Sequence, residues 1–120
     1  DTSGLHITVD PFETREQERR FFDYFNDPIR ISELEKVIGR LPNKYCRFRD
    51  LKNGLRITKD HRYIVHVRKN RALEVRAFKS PNTWDEFWQR LILVHRVNKM
   101  VRETDLSVDK IHKKIMRGVK

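Results

Sequence analysis

The spacing of apolar residues changes along the chain and divides it into three parts. Between residues 10 and 41, apolar side chains recur three or four positions apart, as at Phe21, Phe22 and Phe25, and this spacing predicts helix. From residue 44 to residue 79, apolar and polar residues alternate instead, as they do in strands that bury one face. Helical spacing returns after Pro81. The pattern therefore predicts helices, then a sheet, then further helices.

Two helix starts are recognisable in the N-terminal part. The segment Asp10–Glu13 places an acidic cap before a Pro, and Pro28 disfavours helical geometry in the residue that precedes it. We therefore expect a first helix between these two points. Ser32 and Glu35 have the spacing of a capping box, which predicts a second helix that ends at Gly39.

The middle part has the alternation of a small antiparallel sheet. Asn53-Gly54 is a favoured pair for a tight hairpin, and Lys69–Arg71 supplies another turn. We expect three strands, or four if a short extra one forms, and Leu5–Val9 either adds an edge strand or leads into the first helix. The predicted strand segments are Tyr45–Leu51, Leu55–Thr58, His61–Lys69 and Ala72–Lys79.

A long helix and a short basic helix are predicted after the sheet. Thr83 and Glu86 form a capping box at the start of the long helix, and Asp105–Ser107 ends it. The large apolar side chains of this helix are expected to face the core, including both tryptophans: Trp84, Phe87, Trp88, Leu91, Val94, Val97 and Val101.

Together these elements predict one α+β domain over residues 1–120, with the small antiparallel sheet packed on the long C-terminal helix. One or two helices precede the sheet. The parts of the domain are an acidic helical region (10–41), a basic antiparallel sheet (44–79), a long helix (83–104) and a short basic C-terminal helix (107–117).

Cysteine usage and hydropathy indicate an intracellular protein. Cys46 stands alone, so no intramolecular disulfide can form, and a reducing compartment such as the cytoplasm or nucleus is the simplest expectation. The longest apolar run, Leu91–Val94, is far shorter than the ~20 residues that cross a bilayer, so we expect no membrane association. The chain begins at Asp1 rather than Met, as a fragment of a larger protein or a processed product would.

Charge is distributed unevenly and indicates a polyanionic partner. Residues 1–40 hold six Lys and Arg against nine Asp and Glu, residues 41–79 hold twelve against three, and residues 80–120 hold nine against five. Nine of the ten net positive charges therefore fall in the predicted sheet segment. A field of one sign on a folded surface attracts polyanions, among which nucleic acid is the commonest partner.

The alternation places most of these cations on the outer face of the sheet. Arg offers a planar fork of donors that suits phosphate oxygens and the paired acceptors of guanine. Like charges on neighbouring strands also repel, and a bound polyanion would offset that repulsion. The predicted outer-face contacts are Arg47, Arg49, Arg56, Arg62, His66, Arg68 and Arg76. The predicted phosphate contacts at turns and strand ends are Lys52, Lys59, Lys69, Arg71 and Lys79.

These observations predict a nucleic-acid-binding module, with duplex DNA as the favoured ligand and transcription, replication or recombination as the setting. Single-stranded RNA is disfavoured because the outer face shows Ile64 and His66 but no Phe or Tyr pair on which bases could stack. The order of helix, three strands and helix between residues 32 and 101 resembles that of double-stranded RNA-binding domains, which implies duplex RNA as an alternative. The basic signature of that family is replaced here by the acidic Pro81–Glu86. Three strands followed by a long helix also resemble the DNA-binding sheets of some integrase arm-binding and plant transcription-factor domains.

Two other functions follow from different residues. The first helix carries more aromatic residues than one buried stripe needs, and the surplus would suit a protein partner or a homodimer interface: Phe12, Phe21, Phe22, Tyr24 and Phe25. Asp60 and Glu74 have the form of a carboxylate pair in metal-dependent nucleases, although Arg76 stands where such sites usually have Lys. We expect no catalytic activity and neither a bound metal nor a cofactor.

The basic C-terminal residues leave three roles open: a solvated tail, a nuclear-import-like patch or additional phosphate contacts. They are Lys110, Lys113, Lys114, Arg117 and Lys120.

Overall fold

A computed structural model of the protein describes residues 4–40 and 63–118. This part of the chain contains one antiparallel sheet and five helices, which confirms the α+β class. The strands are β1 (Leu5–Val9), β2 (Val65–Val67) and β3 (Leu73–Phe78). The helices are α1 (Arg15–Phe25), α2 (Pro28–Glu33), α3 (Glu35–Ile38), α4 (Trp84–Glu103) and α5 (Val108–Arg117). The predicted strands Tyr45–Leu51 and Leu55–Thr58 lie outside the described residues.

The described sheet has the strand order β1-β3-β2, so β3 lies between two antiparallel neighbours. Val9 is opposite Leu73, and Leu73 is opposite Val67. This register places valine and leucine side chains on one face, where the helices pack over them. Leu5–Val9 is therefore a strand rather than a lead into the first helix, and it lies at one edge of the sheet as far as the described residues form it.

The first helix is shorter than predicted and begins at Arg15 rather than near Asp10. Thr14 is its N-cap and accepts a hydrogen bond from the Gln17 amide at 3.1 Å. The prediction of a helix start at Asp10–Glu13 was wrong, because this segment contacts α4 instead of forming the first turn of α1. The Arg102 guanidinium donates to the carbonyls of Asp10 and Pro11 and lies 4.1 Å from the centre of the Phe12 ring.

The second predicted start, at Ser32, was also wrong. Asp27 caps α2, and its side chain accepts hydrogen bonds from the amides of Ile29 and Arg30 at 2.8 and 3.0 Å. Pro28 follows as the first helical residue, where its missing N–H costs nothing. Ser32 lies inside α2, and its hydroxyl donates to the Ile29 carbonyl.

The aromatic residues of α1 fill the core. The side chains of Phe21, Phe22, Tyr24 and Phe25 are fully buried among the residues of the sheet and of α4 and α5. The interpretation of these residues as a surplus for a partner was wrong, because the chain's own packing uses them. A partner could reach them only if the core opened.

The two C-terminal helices have the predicted bounds, but α4 faces differently from the prediction. The Thr83 hydroxyl accepts a hydrogen bond from the Glu86 amide, as the capping box requires, and Ser107 caps α5. The buried side of α4 is made by Arg90, Leu93, Val94, Val97 and Val101. Trp84 and Trp88 point to solvent instead, with exposures of 76% and 51%, so their assignment to the core was wrong.

Arginine side chains join the elements through main-chain carbonyls. Arg90, 4% exposed, donates from α4 to the carbonyls of Val37 at 2.9 Å and Lys79 at 2.5 Å. Burial lowers the pKa of this guanidinium, while nearby Glu86 opposes that shift. Arg20 donates from α1 to the carbonyls of Val101, Thr104 and Leu106 at the end of α4. These bonds satisfy carbonyls that the ends of helices and strands leave without partners.

We expect Gly39→Ala to destabilise the protein. Gly39 ends α3 with φ +87, a conformation that costs an L-residue at least about 1 kcal/mol. A Cβ there would also lie 2.5 Å from the Arg90 guanidinium. Urea denaturation should therefore show a lower free energy of unfolding.

Gly118→Ala is the matched control, because its φ is −92 and the nearest atom to an added Cβ belongs to the flexible Arg96 side chain. Equal stabilities for the two variants would contradict the role given to Gly39.

Candidate nucleic-acid interface

Half of the twelve predicted nucleic-acid contacts lie outside the described residues, and half lie within them. Six of them lie outside: Arg47, Arg49, Lys52, Arg56, Lys59 and Arg62. The other six lie on β2, on β3, around the turn between them or just after β3: His66, Arg68, Lys69, Arg71, Arg76 and Lys79. Their surroundings can therefore be compared with the predicted open basic face.

The outer face of the described sheet is centred on a carboxylate. Glu74 is 8% exposed and lies 3.0 Å from Arg68 and 3.8 Å from both Arg76 and His6. The repulsion that a bound polyanion was expected to offset is, for Arg68 and Arg76, offset by Glu74. His66, directly opposite Glu74, is only 5% exposed. Among His66, Arg68 and Arg76, only Arg68 has a half-exposed side chain.

The turn between β2 and β3 forms as predicted, with two different kinds of cation. Arg71 has φ +72, a conformation unusual for a side chain of this size, and forms an ion pair with the buried Glu18 of α1. Lys69 is exposed at the tip of the turn. Lys79, after β3, is also exposed. Two lysines at the rim of the sheet are therefore accessible, whereas Arg71 is part of the packing.

Lysine and arginine have different roles throughout the described residues. Most arginines donate to carboxylates or main-chain carbonyls, as Arg20, Arg40 and Arg90 do. No lysine side chain within residues 4–40 and 63–118 forms a hydrogen bond or an ion pair. The positive charge that is accessible on the described surface is therefore mainly lysine charge.

This charge is concentrated on α5. Four exposed cations, which we call the α5 surface, lie three or four residues apart on the side opposite the buried Ile111 and Ile115: Lys110, Lys113, Lys114 and Arg117. The only carboxylate of the helix, Asp109, lies 3.3 Å from Arg30. Positions 110–117 are helical, as predicted, and the three roles that the sequence left open for these residues stay predictions. Lys120 lies outside the described residues.

A second surface feature was missed by the sequence interpretation. Trp84, Trp88 and Ile92 form a row along the outer side of α4, which we call the α4 aromatic row. The available signal was the helical period itself. Trp88 and the buried Val97 are separated by about two and a half turns, so they cannot lie on the same side of one helix. The expectation that both tryptophans face the core rested on residue type and did not use their angular position on the helix.

Tyr24, His112 and Glu33 form a line of hydrogen-bonded groups that runs from the core to the exposed Glu33. The Tyr24 hydroxyl lies 2.9 Å from Nδ1 of His112, and Nε2 of His112 lies 3.0 Å from Glu33. If Nε2 carries the proton, His112 donates to Glu33 and accepts from Tyr24, so all three groups are satisfied. The two hydrogen bonds connect α1, α5 and α2, and the Tyr24 side chain at their inner end is fully buried.

Within residues 4–40 and 63–118, no cluster of three or more His, Cys, Asp or Glu side chains is placed to hold a metal ion. Asp60, proposed as half of a nuclease pair, lies outside the described residues. Among the helices described, none combines the length and the apolar character needed to cross a membrane.

Comparison with known proteins gives no assignment: no protein-family model matches the chain, and neither the search of curated proteins nor that of solved structures found a match.

We expect stability at alkaline pH to depend on Tyr24. Burial raises the pKa of its hydroxyl, while Arg30 opposes this shift. An unfolded tyrosine ionises near pH ~10, so above that pH the unfolded state loses a proton that the folded state keeps. The contribution of Tyr24 is therefore complete below about pH 10 and decreases as the pH rises further.

Urea denaturation of the native protein and of Tyr24→Phe across this range measures the effect. At neutral pH the variant should be less stable by about 1 kcal/mol, because a buried hydrogen bond is lost. The difference should shrink above pH ~10, whereas the other tyrosines affect both proteins alike. A difference that stays constant with pH would contradict this account.

Proposed function

We propose that this protein is a nucleic-acid-binding module that docks on duplex DNA mainly through its phosphates. The observation that carries the proposal is the α5 surface, four exposed cations on one helix face without an internal partner among the described residues. Such a group of cations attracts a polyanion, and contact with the phosphates releases the counterions of the polyanion. Lys69 and Lys79 at the rim of the sheet add to the accessible positive charge.

The nature of these cations suits phosphate contacts more than base recognition. Lysine acts as a compact point charge on a flexible stem, whereas the bidentate reading of guanine depends on the arginine fork. In the described residues most arginines are engaged within the fold. Contacts to phosphate position a protein on the duplex without carrying sequence information. The described surface is therefore proposed to bind with little sequence preference.

Base recognition is proposed for the predicted arginines outside the described residues. Residues 41–62 carry seven Lys and Arg against two Asp and Glu, which adds to the basic field of the whole chain. Arg47, Arg49, Arg56 and Arg62 remain the arginines predicted to add sequence preference. Duplex RNA is the alternative ligand, since phosphate contacts alone do not distinguish the two duplexes. No catalytic role is proposed.

We expect the double variant Lys113→Gln/Lys114→Gln to bind duplex DNA less tightly and with a weaker dependence on salt. Each lost phosphate contact should reduce the slope of log K against log[salt] by about 1. Fluorescence anisotropy with a labelled DNA duplex, an RNA duplex of the same sequence and the single strand, across a salt series, measures both quantities.

Arg15→Gln/Arg19→Gln is the matched control, since it removes the same net charge from exposed positions near the acidic first turn of α1. The control should keep the native slope. A binding constant independent of salt, or equal losses in both variants, would refute the proposal. Tighter binding to the RNA duplex than to the DNA duplex would indicate that duplex RNA is the ligand.

A further inference from the structure

The α4 aromatic row is an apolar surface on a helix side that should be polar. Trp84, Trp88 and Ile92 are 76%, 51% and 50% exposed, and each is one turn from the next. They are the largest exposed apolar side chains of the described residues apart from Ile29. Single exposed apolar residues are ordinary, but a contiguous patch marks an interaction site. Tryptophan is also the residue most enriched among those that dominate binding energy.

The rings of this row are held in place before any partner binds. Phe87 lies between the two tryptophans, with its ring centre 5.8 Å from that of Trp84 and 5.4 Å from that of Trp88. Both contacts are edge-to-face, with interplanar angles of 87° and 77°. The tryptophans are thus packed against a shared neighbour, and less side-chain entropy is lost when a partner binds.

A cleft of about 360 Å³ adjoins the row where α3, α4 and the end of α5 meet. Ile92 belongs to both features, since it ends the row and lines the cleft. Val37, Leu93 and Ile115 provide the other aliphatic groups of the lining. An aliphatic pocket beside an aromatic surface suits a large apolar side chain of a peptide or helix.

The charged groups of the cleft specify the chemistry of its occupant. Lys36 and Arg96 contribute cations to the lining, and none of the described lining residues is acidic. Carboxylates on the occupant would therefore meet complementary charge at this end. Asp85 and Glu86 lie at the other end, beside Trp84 in the first turn of α4. The occupant's acidic groups should lie at the cleft, and its apolar or neutral groups at Trp84.

We propose that the α4 aromatic row and the adjoining cleft dock a segment of a partner protein that combines large apolar side chains with Asp or Glu. Single-stranded nucleic acid is disfavoured because the carboxylates beside Trp84 would repel its phosphates and because the aliphatic groups that line the cleft offer bases no stacking surface. This docking surface does not depend on duplex binding. A protein that fails to bind DNA can still bind the segment.

Selection from a phage-displayed library of random peptides on the immobilised full chain tests the proposal. The enriched peptides should carry large apolar residues together with Asp or Glu. Binding of a synthetic copy, measured by tryptophan fluorescence and calorimetry, should weaken at least about tenfold in Trp88→Ala, as for a central interface residue. Lys36→Glu should weaken it as well, and added salt should reduce it.

Glu103→Ala, also exposed on α4 but away from the cleft, is the control and should bind as the native chain does. Circular dichroism of each variant verifies folding, and none of the altered side chains is buried. The proposal is overturned if no peptide is enriched, if the enriched peptides lack acidic residues, or if Trp88→Ala binds them unchanged.

Two further outcomes would assign the surface to another occupant and also overturn the proposal. If sedimentation shows a dimer of the native chain that Trp88→Ala dissociates, the occupant is a second copy. If Trp84→Ala and Trp88→Ala weaken binding to a single-stranded oligonucleotide, the row is a stacking platform for bases.

Discussion

Guanidinium groups that donate to main-chain carbonyls hold the helices of this protein against one another and against the sheet. Arg90 reaches from α4 to the end of α3 and to the residue after β3, and Arg20 reaches from α1 to the end of α4. Arg40 joins the residues after α3 to the carbonyls of β3. A buried carbonyl without a partner costs free energy, and a planar fork of donors can satisfy carbonyls of several elements at once. Lysine, with a single ammonium group, cannot replace it in these positions.

This use of arginine changes what the net charge of the chain means. A basic composition suggests a basic surface, but the described arginines are engaged mostly by carbonyls and by carboxylates such as Glu18 and Glu74. Lysine carries most of the accessible charge, and α5 presents three lysines and Arg117 on one side. The α4 aromatic row lies on another helix and has a different chemistry. The surface of the described chain thus offers one region suited to phosphate and another suited to an apolar, acidic segment.

Local signals were reliable where neighbours in sequence are also neighbours in space. Thr83 caps α4 through an amide only three residues away, so its role could be predicted from the sequence. Ser32 has an equally good local signal, but Asp27 and Pro28 start the helix earlier and leave Ser32 inside it. Asp10 failed for a tertiary reason, because Arg102, far along the chain, holds its carbonyl outside any helix.

The sequence by itself determined the α+β class, the bounds of α4 and α5, the alternation of β1 and the surplus of positive charge. Each depends on periodicity, capping or composition, which are properties of short stretches of chain. The tertiary structure decided which cations are accessible and which side of α4 faces solvent. The helical period separates Trp88 from Val97, but only contacts between distant residues decide which of the two is buried. Arg20 is likewise engaged because it meets Leu106, 86 positions along the chain. No local pattern contains such distant contacts.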